Sequence, residues 1–116
     1  NEGKSHVIVA EIKGKVVGFS SFGRSRYEQY GPGEIYAFYV MKSYQRQGIG
    51  RFLIEKSLES LSTSNMMPVI VLTLKGNIPA QRFYEGLGFK ACGTALDEID
   101  GKEYEEIVYL YEQSPK

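Results

Sequence analysis

Residues 34–74 read EIYAFYVMKSYQRQGIGRFLIEKSLESLSTSNMMPVIVLTL, and the changes of pattern within this stretch decide the fold. Glu34 to Met41 is dense in aromatic and β-branched residues and too apolar for a sheet edge, which predicts a central strand. From Ile49 the period changes: Ile54, Leu58 and Leu61 recur at intervals of four and three, the mark of an amphipathic helix ending near Ser64. Val69 to Leu74 is then a continuous apolar run, as expected of a strand covered on both faces. Strand, helix and strand in that order imply a parallel crossover, since a helix between two strands carries the chain back to the same end of the sheet.

Working outward, Asn77 is placed to cap a second helix and Pro79 is tolerated in its first turn. Ala80, Phe83 and Leu87 form that helix's expected buried stripe, and Gly88 its stop. Phe89 to Leu96 and Lys102 to Tyr111 read as strands joined by the turn-rich segment Asp97 to Gly101. Upstream, His6 to Ile12 and Lys15 to Phe22 are β-rich runs around Lys13-Gly14, a hairpin signal. Gly23 to Gly33 is a polar loop. The expected order is β-β-β-α-β-α-β-β in one domain spanning residues 1–116: α/β, with a mixed, mostly antiparallel sheet around one parallel crossover.

Composition narrows the function. The chain has 116 residues and zero formal net charge, so no basic excess points to nucleic acid or an anionic membrane. Its longest apolar run, Pro68 to Leu74, is far too short to cross a bilayer. The single Cys92 cannot form an internal disulfide, and no signal peptide opens the sequence, so a cytoplasmic location is expected. One histidine, His6, leaves no basis for a His/Cys metal cluster, and no metal is expected. The first residue is Asn rather than Met, as in a trimmed or incomplete chain.

The segment Gln45-Arg46-Gln47-Gly48-Ile49-Gly50-Arg51 lies between the central strand and the first helix. Two glycines remove the side chains that would hold a ligand away from the backbone. The first-turn N–H groups of the helix point outward unpaired, and with the helix dipole they favour phosphate. Arg46 and Arg51 add local positive charge. The other reading is a tight strand-to-helix turn whose glycines serve geometry alone. A dinucleotide fingerprint lacks its third glycine here, and no Gly-Lys-Ser/Thr follows as in a Walker A loop.

Val40 to Gly50 (VMKSYQRQGIG) resembles the Gln/Arg-x-x-Gly-x-Gly/Ala motif of the GNAT superfamily of N-acetyltransferases. NIPAQRFYEGLGF, residues 77–89, resembles the superfamily's Asn-x-x-Ala-x-x-x-Tyr-x-x-x-Gly-Phe helix, in the matching order and context. The resemblance spans roughly residues 6–112 and implies the acyl-CoA N-acyltransferase fold. The resemblance implies a strand and helices ahead of the first hairpin, forming one wall of the acceptor site, and the sequence as read from residue 1 is expected to lack them. An uncovered edge at His6 to Ile12 would invite pairing with a second copy, so a homodimer or a longer native chain is expected.

Roles follow from the resemblance residue by residue. Backbone N–H groups of Arg46, Gln47, Gly48, Ile49, Gly50 and Arg51 would hold the pyrophosphate of acetyl-CoA, with Gln45 opening the loop. The backbone of Phe38, Tyr39 and Val40 would pair with the pantetheine arm, and one N–H there would face the thioester oxygen, where negative charge develops. Asn77 is a cofactor contact or only a helix cap. Tyr84 is the candidate general acid, because a phenol with pKa near ~10 can protonate a departing thiolate; the other reading is a packed aromatic. Glu34 is the candidate base for the acceptor amine, or an exposed residue at a strand start. The resemblance implies direct transfer of acetyl from acetyl-CoA to a primary amine, on a small molecule or a protein, in a ternary complex. The alternative is a CoA-binding sensor without turnover.

Overall fold

The computed structural model describes residues 5–112. Six strands, β1 (His6–Ile12), β2 (Lys15–Arg24), β3 (Gly33–Val40), β4 (Val69–Leu74), β5 (Lys90–Ile99) and β6 (Lys102–Tyr111), form one sheet in the order β1-β2-β3-β4-β6-β5. Helix α1 (Ile49–Thr63) joins β3 to β4, and α2 (Ile78–Gly86) joins β4 to β5. The β3–β4 pair is parallel and every other pairing is antiparallel, as the strand-helix-strand pattern requires.

Both hairpin turns are two residues long with positive φ at each position: 52° and 79° at Lys13-Gly14, and 52° and 79° at Asp100-Gly101. Such turns match the right-handed twist of the strands they join. The second turn is shorter than expected. Asp97, Glu98 and Ile99 belong to β5, because Ile99 pairs directly with Lys102 and leaves only the Asp-Gly pair to reverse the chain.

Helices α1 and α2 cover the same face of the sheet. Ile54 and Leu61 from α1 and Tyr84 from α2 meet Phe22, Ile35, Val71, Phe89 and Tyr109 in one apolar cluster. Leu53 packs with Ala10, Val17 and Val40 in a second cluster. Full burial of one such side chain stabilises the fold by about 1.5–3 kcal/mol. A buried Ser57–Ser20 hydrogen bond of 2.7 Å ties α1 to β2.

The stripe of α2 is broader than expected, with Ala80, Phe83 and Leu87 packed against the core as the sequence implies and the most buried positions beside them. Ala80, Phe83 and Leu87 are only half-buried, while Gln81 and Tyr84 are buried. The cause is Gln81, whose Nε2 donates to the carbonyls of Leu74 at 3.1 Å and Lys75 at 2.8 Å. These bonds turn the helix so that the Tyr84 ring enters the core and Phe83 reaches its rim. On the opposite sheet face, Val7, Val9, Val16 and Tyr39 are more than half exposed, and β1 is an outer strand.

Candidate acetyl-donor and acceptor site

The site begins with a split in the sheet. Strands β3 and β4 pair only from Gly33–Ile35 to Val69–Val71 and then separate. The register between β2 and β3 explains why. Ser21 faces Ala37 and Phe22 faces Ile35, so Tyr36 is an extra residue on β3. A bulge bends and twists the strand that carries it. Past Tyr36, β3 follows β2 while β4 stays with β6 over six pairs. The edge of Phe38, Tyr39 and Val40 that would face β4 therefore has no strand partner. A cleft of about 580 Å³ occupies the split, lined on one side by Phe38 and on the other by Thr73, with Phe83 and Tyr84 of α2 over it.

The cleft runs into a groove of about 510 Å³ whose walls include Val40, Arg46, Gly48, Gly50 and Arg51; Gln45, Phe38, Pro79 and Phe83 belong to both. Gln45 fixes the start of the loop by donating from Nε2 to the Val40 carbonyl at 2.9 Å. Gly48 is the N-cap of α1 at φ 84°, a backbone state that L side chains rarely adopt, and no side chain caps this helix. The N–H groups of Ile49, Gly50 and Arg51 consequently lack intrahelical acceptors. Space beside Gly48 is open, with no atom within 4 Å of where a Cβ would stand. At Gly50 a Cβ would lie 3.0 Å from the Phe38 ring and 3.3 Å from the Phe83 ring. Those rings stack at 5.4 Å and form the floor on which the helix terminus rests.

Charge at the loop is less generous than the two arginines suggest. Arg51 Nε is 3.0 Å from Glu55 Oε2 one turn along the helix, whereas Arg46, exposed at φ 65°, makes no ion pair among the described residues. Asn77 acts as a cap, its side chain accepting from the Ala80 N–H at 3.2 Å, and it also lines the cleft.

Tyr84 is 6 % exposed, edge-on to Phe83 and Phe89, and lines the cleft. Burial pushes its phenol up to about 12, so the hydroxyl keeps its proton throughout the neutral range. Glu34 is fully buried rather than exposed at a strand start. Its carboxylate accepts from the Arg26 backbone N–H at 2.9 Å and from Arg26 Nη2 at 2.6 Å. Ile35 belongs to the helix-side core, so the adjacent Glu34 points to the other face, and it does not line the cleft.

Two polar residues of the cleft escaped the sequence reading. Thr73 is 5 % exposed and its Oγ1 has no hydrogen-bond partner; Glu106 has a buried Oε1, also without one. Glu106 lies in an acidic, alternating strand (KEYEEIVYLY) where nothing in the sequence separates it from its exposed neighbours.

Comparisons with known proteins agree with this geometry. Residues 3–91 match the acetyltransferase (GNAT) domain family. The chain is 35 % identical over 105 residues to YuaI of Bacillus subtilis strain 168, named as an uncharacterized N-acetyltransferase; the match covers 90 % of this chain and 60 % of that protein. Among solved structures, the ribosomal-protein-alanine N-acetyltransferase of Brucella melitensis superposes with a TM-score of 0.76 at 26 % identity, over 92 % of this chain and 68 % of that one. A GNAT family acetyltransferase from Elizabethkingia anophelis with acetyl-CoA bound superposes with a TM-score of 0.77 at 16 % identity, over 94 % of this chain and 76 % of that one. At such identity the second likeness concerns the fold. The family match, the split sheet and the uncapped glycine loop converge, and the chain belongs to the GNAT acetyltransferase family.

Proposed function

We propose that this chain binds acetyl-CoA in the groove and cleft and transfers the acetyl group to a primary amine by direct attack in a ternary complex. The observation that carries the reading is the continuity of two features. An uncapped helix terminus suited to a pyrophosphate opens into a strand edge without a partner, and that edge leads to the Tyr84 phenol. Residues 46–51 hold the phosphates through backbone N–H groups, and the open space at Gly48 lets them approach. The free edge of Phe38, Tyr39 and Val40 offers its backbone to the amide-containing pantetheine arm, as a missing strand would.

Acetyl-CoA supplies the acetyl group as a thioester, so the protein must orient the arm, shelter the carbonyl and provide a proton for the sulfur. Tyr84 serves as that acid, since its raised pKa keeps the proton available at every pH where an amine can attack. Asn77 acts through position, capping α2 and thereby holding Phe83 and Tyr84 over the cleft. Glu34 also acts at one remove: paired with Arg26, it anchors the β2–β3 loop beside the cleft. The acceptor is an amine of a small molecule or a protein. Titration with acetyl-CoA followed by thiol-release assays over an amine panel tests the proposal. Binding with amine-dependent release supports transfer, binding without release supports a sensor, and no binding removes both.

A further inference from the structure

Among the described residues, Glu106 is the one charged side chain that lines the cleft between β3 and β4. It sits on β6 opposite Leu74 of β4 and Ala95 of β5. Its neighbour Ile107 and the next-but-two residue Tyr109 pack in the helix-side core, so Glu106 belongs to the opposite face, across the cleft from Tyr84. Its Oε1 is buried without a hydrogen-bond partner. The Thr73 hydroxyl, in a residue 5 % exposed on the same cleft, is likewise unpartnered. Buried polar atoms are rarely left so in a folded protein, and two in one cleft mark where water or a bound ligand supplies what they lack.

The charges around Glu106 indicate the sign of that ligand. Asp97 faces it from β5, Glu34 from β3, and Arg26 from the β2–β3 loop. Arg26 is the one cation of this group and is committed to Glu34 at 2.6 Å. Glu106 and Asp97 share a side-chain hydrogen bond, and the two acids have between them only the more distant charge of this already paired arginine. The missing partner is a cation that also donates hydrogen bonds, which describes a primary ammonium and excludes a carboxylate or phosphate.

We infer that Glu106 seats the ammonium of the acceptor and takes its proton, making it the general base of the transfer reaction. The inference rests on the acetyltransferase reading above. It favours acceptors that are plain or polycationic amines, because an acidic group beside the amine would meet Asp97 and Glu106 together. The proton balance closes. One ammonium N–H bond breaks, its electron pair stays on nitrogen, and the proton goes to Glu106 and later to water. That pair forms the C–N bond as the C–S pair leaves on sulfur. The sulfur receives the Tyr84 proton, and the phenol is restored by the second proton shed from nitrogen. The surroundings of Glu106 suit it to this role, because burial first and the charge of Asp97 second raise its carboxyl above the usual range, helped by the charge of Glu34 and a hydrogen bond with Asp97 and opposed by Arg26. A carboxylate so raised accepts a proton more readily near neutral pH.

The test compares wild-type protein with Glu106→Gln and Glu106→Asp. Acetyl-CoA affinity is measured first, then amine-dependent thiol release from pH 6 to 10, then melting temperature without ligand. Glu106→Gln is expected to keep acetyl-CoA affinity and lose roughly a hundredfold in kcat/KM for the amine near neutral pH. The loss shrinks as pH approaches the amine's own pKa of about 10. Glu106→Asp recovers part of the rate and the wild-type shape of the pH profile, and it stands in should the Gln variant not fold. Melting gives a readout free of turnover. The folded state holds a Glu106 proton that the unfolded chain releases, so stability contributed at acid pH is lost as pH rises. Glu106→Gln therefore melts above wild type at neutral pH and loses that advantage at about pH 4. An unchanged rate and pH profile in the Gln variant overturns the role of Glu106 and leaves the acetyltransferase reading standing. A wild-type chain that binds no acetyl-CoA, or releases no thiol with any amine, overturns the transfer reading and this inference with it.

Discussion

Gly48 separates the cost of backbone strain from the cost of charge at the proposed phosphate site. A side chain at φ 84° costs about 1–2 kcal/mol relative to glycine, and Gly48→Ala incurs this strain without a clash because nothing lies within 4 Å of its Cβ. For a domain of this size that cost lowers the melting temperature by roughly 4–8 °C. Gly48→Asp incurs somewhat less, since Asp tolerates this conformation better and its charge favours a helix N-terminus by about 0.3–1 kcal/mol. Both variants should fold, with Asp the more stable. Affinity should rank them the other way. A carboxylate about 5 Å from one phosphate charge costs about 0.8 kcal/mol in bulk water and about 3 kcal/mol at an effective dielectric of about 20. The groove is a surface feature, so Gly48→Asp should lose tens-fold in CoA affinity by calorimetry, while Gly48→Ala loses little. Added salt should narrow the difference, because exposed charges are screened. A folded Gly48→Asp protein that binds CoA as wild type does would refute the phosphate site.

Three further variants test the site. Tyr84→Phe keeps the ring contacts and should leave acetyl-CoA affinity intact while kcat falls about tenfold to a thousandfold; equal turnover would make Tyr84 a packing residue. Because the folded phenol titrates near about 12 and a free one near ~10, the native state holds a proton the unfolded state releases, and wild type should lose more stability across that alkaline window than Tyr84→Phe, in which Tyr109, also raised to about 12, still titrates. Arg26→Met strands the buried Glu34 carboxylate and should cost about 2–3 kcal/mol in urea unfolding, discounted because Arg26 is half exposed; Arg26→Met with Glu34→Leu should recover most of it. Asn77→Ala removes the α2 cap and should cost about 1 kcal/mol with little change in CoA affinity, and a large affinity loss would reveal a direct contact instead.

Local chemistry made most of the fold legible. The aromatic run ending at Val40, the four-and-three spacing of Ile54, Leu58 and Leu61, and the apolar Val69 to Leu74 each have one comfortable conformation, and together they dictate the crossover. The glycine loop was legible because positive φ and close approach both demand glycine. What stayed hidden depends on distant partners. The burial of Glu34 requires Arg26, eight residues away across a loop. The rotation of α2 depends on Gln81 finding two carbonyls at the end of β4. The split in the sheet arises from a single extra residue at Tyr36, and no composition signal marks a bulge inside an apolar run. Glu106 is distinguished from Glu103 and Glu105 only by its register against Leu74 and Ala95.

In the proposed function, the loop opening α1 and the free edge of β3 together hold acetyl-CoA. Backbone amide NMR of the labelled chain during acetyl-CoA titration tests it most directly. The largest, saturable shifts are expected at Gly48, Ile49, Gly50 and Arg51, with a second group at Phe38, Tyr39 and Val40, and little change along β1. Saturable binding whose shifts cluster away from both groups, or no shift at the Gly48 loop at millimolar acetyl-CoA, would contradict it.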